Sequence, residues 1–198
     1  ATTVMVVSFV NSGLMNLYQA AGVIFGSNVG TTVTALLVSF KLEKVAPIIL
    51  LVGVIAFMFS KNQNIKKIGE VIIGFGVLFM GLSSMSAAMS GMKESQYILD
   101  LFASLKSPLF AILLGFVITG IVQSSSVTVS IMVLLANQNL LGMDICMYIT
   151  LGCNIGSCTT ALIASLSGKK DAKRAAMIHF LFNVIGTAIM YVILWLAM

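Results

Sequence analysis

Gln123-Ser124-Ser125-Ser126, and further on Gly152-Cys153-Asn154-Ile155-Gly156-Ser157-Cys158-Thr159-Thr160, are runs of hydroxyl, amide and glycine residues inside stretches that otherwise read as membrane-spanning helices. In hydrocarbon every backbone group left without a partner is costly, so polar runs of this kind need a reason. Small polar residues flanked by glycine allow a helix to break at mid-membrane. Freed NH and C=O groups, together with Ser, Thr, Asn and Gln side chains, can then surround a dehydrated ion.

Half of this constellation occurs twice. With residues 1–40 laid without a gap on residues 127–166, Gly26-Ser27-Asn28-Val29-Gly30-Thr31-Thr32 falls opposite Gly152 to Cys158. Identical pairs run along the whole overlap: Thr2/Thr128, Val7/Val133, Asn11/Asn137, Leu14/Leu140, Gly26/Gly152, Asn28/Asn154, Gly30/Gly156, Thr34/Thr160, Ala35/Ala161, Leu36/Leu162 and Ser39/Ser165. An apolar helix has no propensity reason to keep the Gly, Asn and Ser among them, so the pairing argues for two copies of one site-forming unit. Interrupted hydrophobic segments in matching positions of two halves point to a transporter's binding site.

Composition sets the solvent. With 59% hydrophobic and 9% charged residues, and a mean hydropathy of +1.09, there is too little polar surface to cover a water-soluble particle. The net charge of +5 comes from Lys and Arg in short connections, where it orients a membrane protein. No basic face for nucleic acid is apparent. Cys146, Cys153 and Cys158 fall within one predicted span without metal-site spacing to a His and read as small packing residues, the latter two near the polar break. The 13 methionines likewise read as packing or lipid-facing residues rather than a soft-metal path. Residue 1 aligns with Val127, so N-terminal sequence is expected to be missing from the first copy, including a counterpart of Gln123 to Ser126.

The spacing predicts an order of elements. Residues 1–13 are too short to span a core of roughly 30 Å and read as the second arm of a re-entrant hairpin. Tyr18 to Phe40 is long enough, with Gly26 to Thr32 predicted as an unwound centre between two half-helices. Lys41, Glu43 and Lys44 form a loop before Pro47, Val45 to Phe59 is the next span, and Ser60 to Lys67 is a basic loop. Ile68 to Met89 is a third span, with small residues suited to close helix packing. Residues 91–107 read as an amphipathic interfacial helix connecting the repeats. Pro108 to Val122, the Gln-Ser-Ser-Ser break and Val127 to Leu141 make a complete hairpin, Met143 to Leu166 a second broken span, and Ala175 to Met198 the last. The divisions are thus a first, N-terminally incomplete repeat at 1–90, the connector at 91–107 and a second repeat at 108–198.

Charge tests this threading. If the hairpin enters from outside and each span crosses once, Lys61, Lys66, Lys67, Lys169, Lys170, Lys173 and Arg174 lie inside, and Lys41, Lys44, Lys93 and Lys106 outside. The bias agrees with the positive-inside rule. It also sends the two broken helices in opposite directions. The expected fold class is therefore an all-α membrane protein of two inverted repeats, each with a re-entrant helical hairpin and a broken transmembrane helix.

Gln123-Ser124-Ser125-Ser126, the two Gly-x-Asn-x-Gly-Thr/Ser motifs, and the run Arg174-Ala175-Ala176 to His179 followed by Phe182-Asn183 together resemble the bacterial branch of the sodium/phosphate cotransporter family, over essentially the whole chain. The resemblance implies sodium-driven uptake of inorganic phosphate across the bacterial cytoplasmic membrane by a multi-pass carrier, probed by no enzyme motif: nothing in the chain looks like a hydrolytic triad or a nucleotide loop. It implies sodium binding by Gln123, Ser124, Cys153, Asn154, Ser157, Thr160 and Asn28, and phosphate binding by Ser125, Ser126, Thr31 and Thr32, with an elevator-like movement. The chain departs from the family pattern in lacking a first Gln-Ser-Ser-Ser, in Cys153 where Ser or Ala is usual, and in Ser157-Cys158 where Thr-Thr is usual. Expected partners are inorganic phosphate, sodium and the lipid bilayer, with self-association left open and no nucleic acid.

The chemistry of the residues is compatible with this. Hydrogen phosphate offers mainly acceptors, which hydroxyls and NH groups at helix N-termini satisfy. Sodium takes oxygen ligands, which amides, hydroxyls and freed carbonyls supply without fixed charge. Neither motif contains Arg, Lys, Asp or Glu, so the cations themselves must neutralise the anion. Moving one charge across the membrane is worth about 2.3 kcal/mol per 100 mV, so two sodium ions cancel the electrical cost of a dianion and a third would make uptake electrogenic. A carrier for sulfate or a dicarboxylate, or a non-transporting membrane subunit, could use the same residues. His179, four residues before Asn183, is expected to make an interhelical hydrogen bond rather than relay protons. Asp144 is expected at a helix start, where the dipole favours it.

Overall fold

Helices account for all regular structure in residues 2–40 and 42–197, which the computed structural model describes. Ala1, Lys41 and Met198 lie outside them, as do the side chains of Glu43, Met92, Lys93 and Ala103, so the expectations placed on those residues are not addressed. The helices are α1 (Thr2–Asn11), α2 (Leu17–Ser39), α3 (Ala46–Phe59), α4 (Gln63–Ser90), α5 (Gln96–Ser104), α6 (Pro108–Val122), α7 (Ser125–Asn137), α8 (Met143–Gly156), α9 (Thr159–Ser165) and α10 (Lys170–Ala197). Four stretches are long and apolar enough to cross a membrane: α2, α4, α8 with α9, and α10.

The surfaces of these helices are those of a protein in lipid. On α10 the buried residues are small or polar, Ala172, Ala175, Ala176, His179, Asn183 and Thr187. Its exposed residues include Leu181, Ile185, Ile189, Val192 and Trp195. Large apolar side chains gain nothing by leaving lipid, whereas small ones let backbones approach.

Two compact units result, Ala1–Ala35 with Asp100–Met198, and Leu36–Leu99. In the second, α3 and α4 run antiparallel at close range. A Cβ at Gly53 would lie 2.8 Å from the Ile73 nitrogen, and one at Gly76 equally close to Leu50. Pro47 stands in the first turn of α3, where its missing NH has no helical partner to lose. Asn62 caps α4 by accepting from the Asn64 NH at 2.9 Å. This cap starts α4 at Gln63, ahead of the predicted Ile68, so Lys66 and Lys67 belong to the helix rather than to a basic loop.

In the first unit α6 lies along α8 with backbones nearly touching. A Cβ at Gly115 would fall on the Ile149 carbonyl oxygen and one at Gly152 on that of Ile112, and at Gly156 the Phe116 oxygen is 2.7 Å away. From Gly152 against Ile112 and Phe116, through Gly156 against Phe116 and Thr119, to Thr159 against Gly120, the contacts advance along the chain on both sides, so α6 and α8 are parallel. The chain then reverses through Gln123 and Ser124, and α7 runs back until the Met132 carbonyl accepts from Cys146 Sγ at 3.6 Å. The helix-turn-helix expected at 108–141 is present, with Ser125 and Ser126 already helical.

Elements from the start of the chain complete this unit. Val6, Val7 and Val10 of α1 and Ala20 and Ile24 of α2 share a core cluster with Ala161 of α9 and Ala172, Ala175 and Ala176 of α10. Asn11 Oδ1 accepts from the Lys169 NH at 2.7 Å, and Phe25 stacks on Phe182 with ring centroids 4.4 Å apart.

The expected breaks fare differently. Gly26 to Thr32 is not unwound: α2 is continuous helix from Leu17 to Ser39. The reason is local. Asn28 Nδ2 donates to the Ile24 carbonyl at 2.9 Å, Thr31 Oγ1 to that of Ser27 at 3.0 Å, and Thr32 Oγ1 to that of Val29 at 2.6 Å. The polar side chains are satisfied by the helix that carries them, which removes the pressure to open it. In the second copy an interruption exists but is small. Ser157 and Cys158 keep right-handed helical angles, and Cys158 NH bonds the Ile155 carbonyl at 3.1 Å. A three-residue hydrogen bond tightens the ladder there instead of releasing it.

Candidate functional site

The tip between α6 and α7 is built around an unusual backbone. Gln123 adopts φ 59° and ψ 21°, a left-handed conformation rare outside glycine. Its NH donates to the Thr119 carbonyl at 2.8 Å, closing α6. Its side-chain amide donates to the Gly120 carbonyl, and to Thr159 Oγ1 at 3.3 Å on α9. Ser124 is extended and caps α7, its Oγ accepting from the Val127 NH at 3.4 Å. The first-turn NH groups of Ser125 and Ser126 have no carbonyl to bond within their own helix.

A cavity of about 250 Å³ opens at this tip. Its wall brings together the start of α1 (Thr2, Thr3), the middle of α2 (Ser27, Asn28, Thr31) and the tip itself (Gln123, Ser124, Ser125, Ser126). The end of α8 (Asn154, Gly156, Ser157), the start of α9 (Thr160) and His179 of α10 complete it. None of these described lining residues is Asp, Glu, Lys or Arg.

Nine of the eleven residues predicted for the site therefore line one cavity: Gln123, Ser124, Ser125, Ser126, Asn154, Ser157, Thr160, Asn28 and Thr31. Cys153 and Thr32 do not. Cys153 is fully buried on the side of α8 that meets Thr119. Thr32 is exposed, with its hydroxyl returned to its own helix. One step along a helix turns a side chain by about 100°, so neighbours in a motif need not share a face.

Four side chains, Thr2, Thr3, Ser27 and His179, line the cavity without having been assigned to it. The repeat gave a partial signal. Asn28 and Asn154 line the wall together, as do Thr31 and Ser157, each pair in equivalent positions. Thr2 could not have been found that way, because its counterpart Thr128 is buried and bonds the Ser124 carbonyl at 3.2 Å.

The interhelical bond expected of His179 is made by its backbone, whose carbonyl accepts from Cys158 Sγ at 3.6 Å, and a neighbour adds to it. Asn183 Nδ2 donates to Cys158 Sγ at 3.3 Å and to the His179 carbonyl at 3.0 Å. Thr187 Oγ1 adds a bond to the Leu151 carbonyl at 3.1 Å. These tie α10 to α8 and to the turn after it. Asp144 stands in the first turn of α8 and is exposed, as expected.

The model of the Na+/Pi-cotransporter family matches residues 1–87 and 88–196. The chain belongs to the Na+/Pi-cotransporter family. The resemblance carried by the Gln-Ser-Ser-Ser and Gly-x-Asn-x-Gly motifs is thereby established, and the family is one of transporters rather than enzymes. Among other members, an uncharacterized protein of Bacillus subtilis, YqeW, is 33% identical over 192 residues, covering 96% of this chain and 62% of that protein. A protein of Escherichia coli provisionally named for inorganic phosphate export, YjbB, is 28% identical over 190 residues, 96% of this chain and 35% of that one. The human sodium-dependent phosphate transport protein 2C is 38% identical over 87 residues, 42% of this chain and 14% of its own length. The chain thus spans less than two thirds of each of these Na+/Pi-cotransporter relatives. No solved structure matches it.

Proposed function

We propose that this chain forms the substrate-binding core of a sodium-coupled carrier of inorganic phosphate, and that the cavity at the α6–α7 tip is its site. The observation that carries the reading is one cavity without Asp, Glu, Lys or Arg among its described lining residues, walled by Gln123 to Ser126 at the start of α7, by Asn28 and Asn154 of both repeated motifs, and by Thr2 and Thr3 of α1.

Hydrogen bonding divides this wall into two kinds of surface. At Asn28, Thr31, Ser157 and Thr160 a side-chain hydrogen is spent on a helix carbonyl, of Ile24, Ser27, Asn154 and Ser157 respectively. Their oxygens are left as acceptors, which suits sodium. Gln123 is similar: its NH₂ is engaged and its carbonyl oxygen remains. Ser125 and Ser126 instead sit in the first turn of α7, where NH groups lack helical partners and the helix dipole favours an anion, and Thr2 and Thr3 of α1 add hydroxyls beside them. We assign the first set to sodium and the second to phosphate. Thr31 thereby moves to the sodium side, and Thr32 and Cys153 have no direct role.

An uncharged site needs its cations. Bringing sodium beside the dianion raises the affinity for both, and by linkage the effect is reciprocal. Two inverted repeats remain the proposed architecture. They are supported by α2 spanning Leu17–Ser39 and α8 with α9 spanning Met143–Ser165, equivalent bounds in the two copies, and by the family model's two matched segments.

Uptake of labelled phosphate by proteoliposomes containing the full-length protein tests the function. An inward sodium gradient should accelerate it, and excess sulfate or succinate should leave it unchanged. Uptake indifferent to sodium would overturn the coupling, and equal competition by sulfate would overturn the choice of anion.

A further inference from the structure

The division of the wall into donors and acceptors leaves one group unused. His179 is 2% exposed and lines the cavity, yet its Nδ1 is buried without a hydrogen-bond partner. The backbone beneath it is well held: its carbonyl accepts from Asn183 Nδ2 at 3.0 Å and from Cys158 Sγ at 3.6 Å. The backbone that carries the ring is thus held, while Nδ1 of the ring has no partner. An imidazole that has given up water without gaining a protein partner is poised for something that enters the cavity.

We propose that His179 is a binding residue for the transported anion, its imidazole donating to a phosphate oxygen, and that its protonation sets the charge of the cavity. The proposal rests on the reading of this cavity as a phosphate site. His179 is the one imidazole among the described lining residues, and an imidazole gains its proton on the acidic side of neutrality.

The helices around it carry no competing charge at that level. Neither α1 nor α9 has a titratable residue. From α8 and the turn after it come the thiols of Cys153 and Cys158, with Cys146, Tyr148 and the exposed Asp144 nearer the start of α8. The titratable group of α2 is Tyr18, 90% exposed in its first turn. On α10 itself Asp171 and Arg174 pair with each other at 3.0 Å on the exposed first turns, where Lys170 and Lys173 are exposed too, and Tyr191 lies against Tyr148 three turns beyond His179.

A protonated His179 would therefore supply a positive charge that the cavity otherwise receives only from sodium. Phosphate binding should depend less steeply on sodium at acidic pH, and this relief should vanish without the imidazole.

The full-length protein in lipid nanodiscs, labelled with carbon-13 at histidine, provides the test. The His179 ring signal is assigned by its loss in His179→Gln, or in His179→Asn should the first variant fail to fold. Inorganic phosphate added in the presence of sodium should shift that signal. In proteoliposomes His179→Gln should raise the phosphate KM about tenfold at acidic pH, the weight of a charge-assisted hydrogen bond. It should also remove the difference in sodium dependence between acidic and alkaline conditions. A ring signal unmoved by saturating phosphate, or an unchanged KM in the variant, overturns the proposal while wild-type sodium-driven uptake persists. Absence of that uptake in the wild type removes the phosphate reading and this inference together.

Discussion

Gln123 shows at the residue scale how a site is held. A left-handed conformation costs a non-glycine residue roughly 1–2 kcal/mol, and here the side chain offsets it by reaching the Gly120 carbonyl and Thr159 Oγ1. Gln123→Gly separates backbone from chemistry. Thermal stability in detergent should stay within about 1 kcal/mol of wild type, because glycine accepts the conformation freely. Sodium-driven phosphate uptake should fall about tenfold or more if the proposed cation ligand is lost together with the link to α9. Undiminished uptake would remove Gln123 from the site. A second comparison sets two hydroxyls apart. Ser125→Ala should raise the phosphate KM, whereas Thr32→Val should leave transport unchanged, since Thr32 Oγ1 bonds its own helix outside the cavity. Equal losses at both positions would contradict the division of the wall.

At the scale of elements, close approach of α6 to α8 fixes where the tip lies. Gly152 has no room for a methyl group, which would fall on the Ile112 carbonyl oxygen, whereas a Cβ at Gly120, where α6 faces the start of α9, would meet Thr159 Cγ2 at an ordinary 3.6 Å. Gly152→Ala should therefore destabilise the protein by about 1–3 kcal/mol through forced separation of backbones. Gly120→Ala should be close to neutral, and thermal unfolding of the two variants side by side checks the contrast. The continuity of α2 belongs to this scale too. Gly26, Asn28 and Gly30 read as a break because glycine and asparagine lower helix propensity. In lipid a helix keeps its own hydrogen bonds unless something better replaces them. The replacement was not required, because Asn28, Thr31 and Thr32 each found a carbonyl about one turn back.

For the whole molecule, the two halves of the sequence are not two halves in space. Residues 1–35 pack with residues 100–198, so the repeated motifs share one cavity instead of forming two. A coupled carrier with one shared site has no built-in direction; the gradients set it. Reversing the sodium gradient across proteoliposomes containing the full-length protein should reverse net phosphate movement. That outcome would reconcile uptake expected from resemblance with the export named for the Escherichia coli relative. Net movement in one direction under both gradients would exclude simple symport.

Composition and spacing alone determined that the chain is helical and built for lipid, and that its polar residues gather in two related motifs and a serine run; the family followed from the resemblance those motifs carry and from the family model's match. Those properties are averages over a helix or patterns along it, and they survive any rotation about its axis. Only the tertiary structure decided that Gly26 to Thr32 stays helical, that Cys153 and Thr32 turn away from the cavity, and that Thr2, Thr3 and His179 turn into it. A side chain's partner depends on which neighbouring helix approaches, and at what rotation. That is settled by contacts between residues far apart in the chain, such as Phe25 with Phe182 and Gln123 with Thr159.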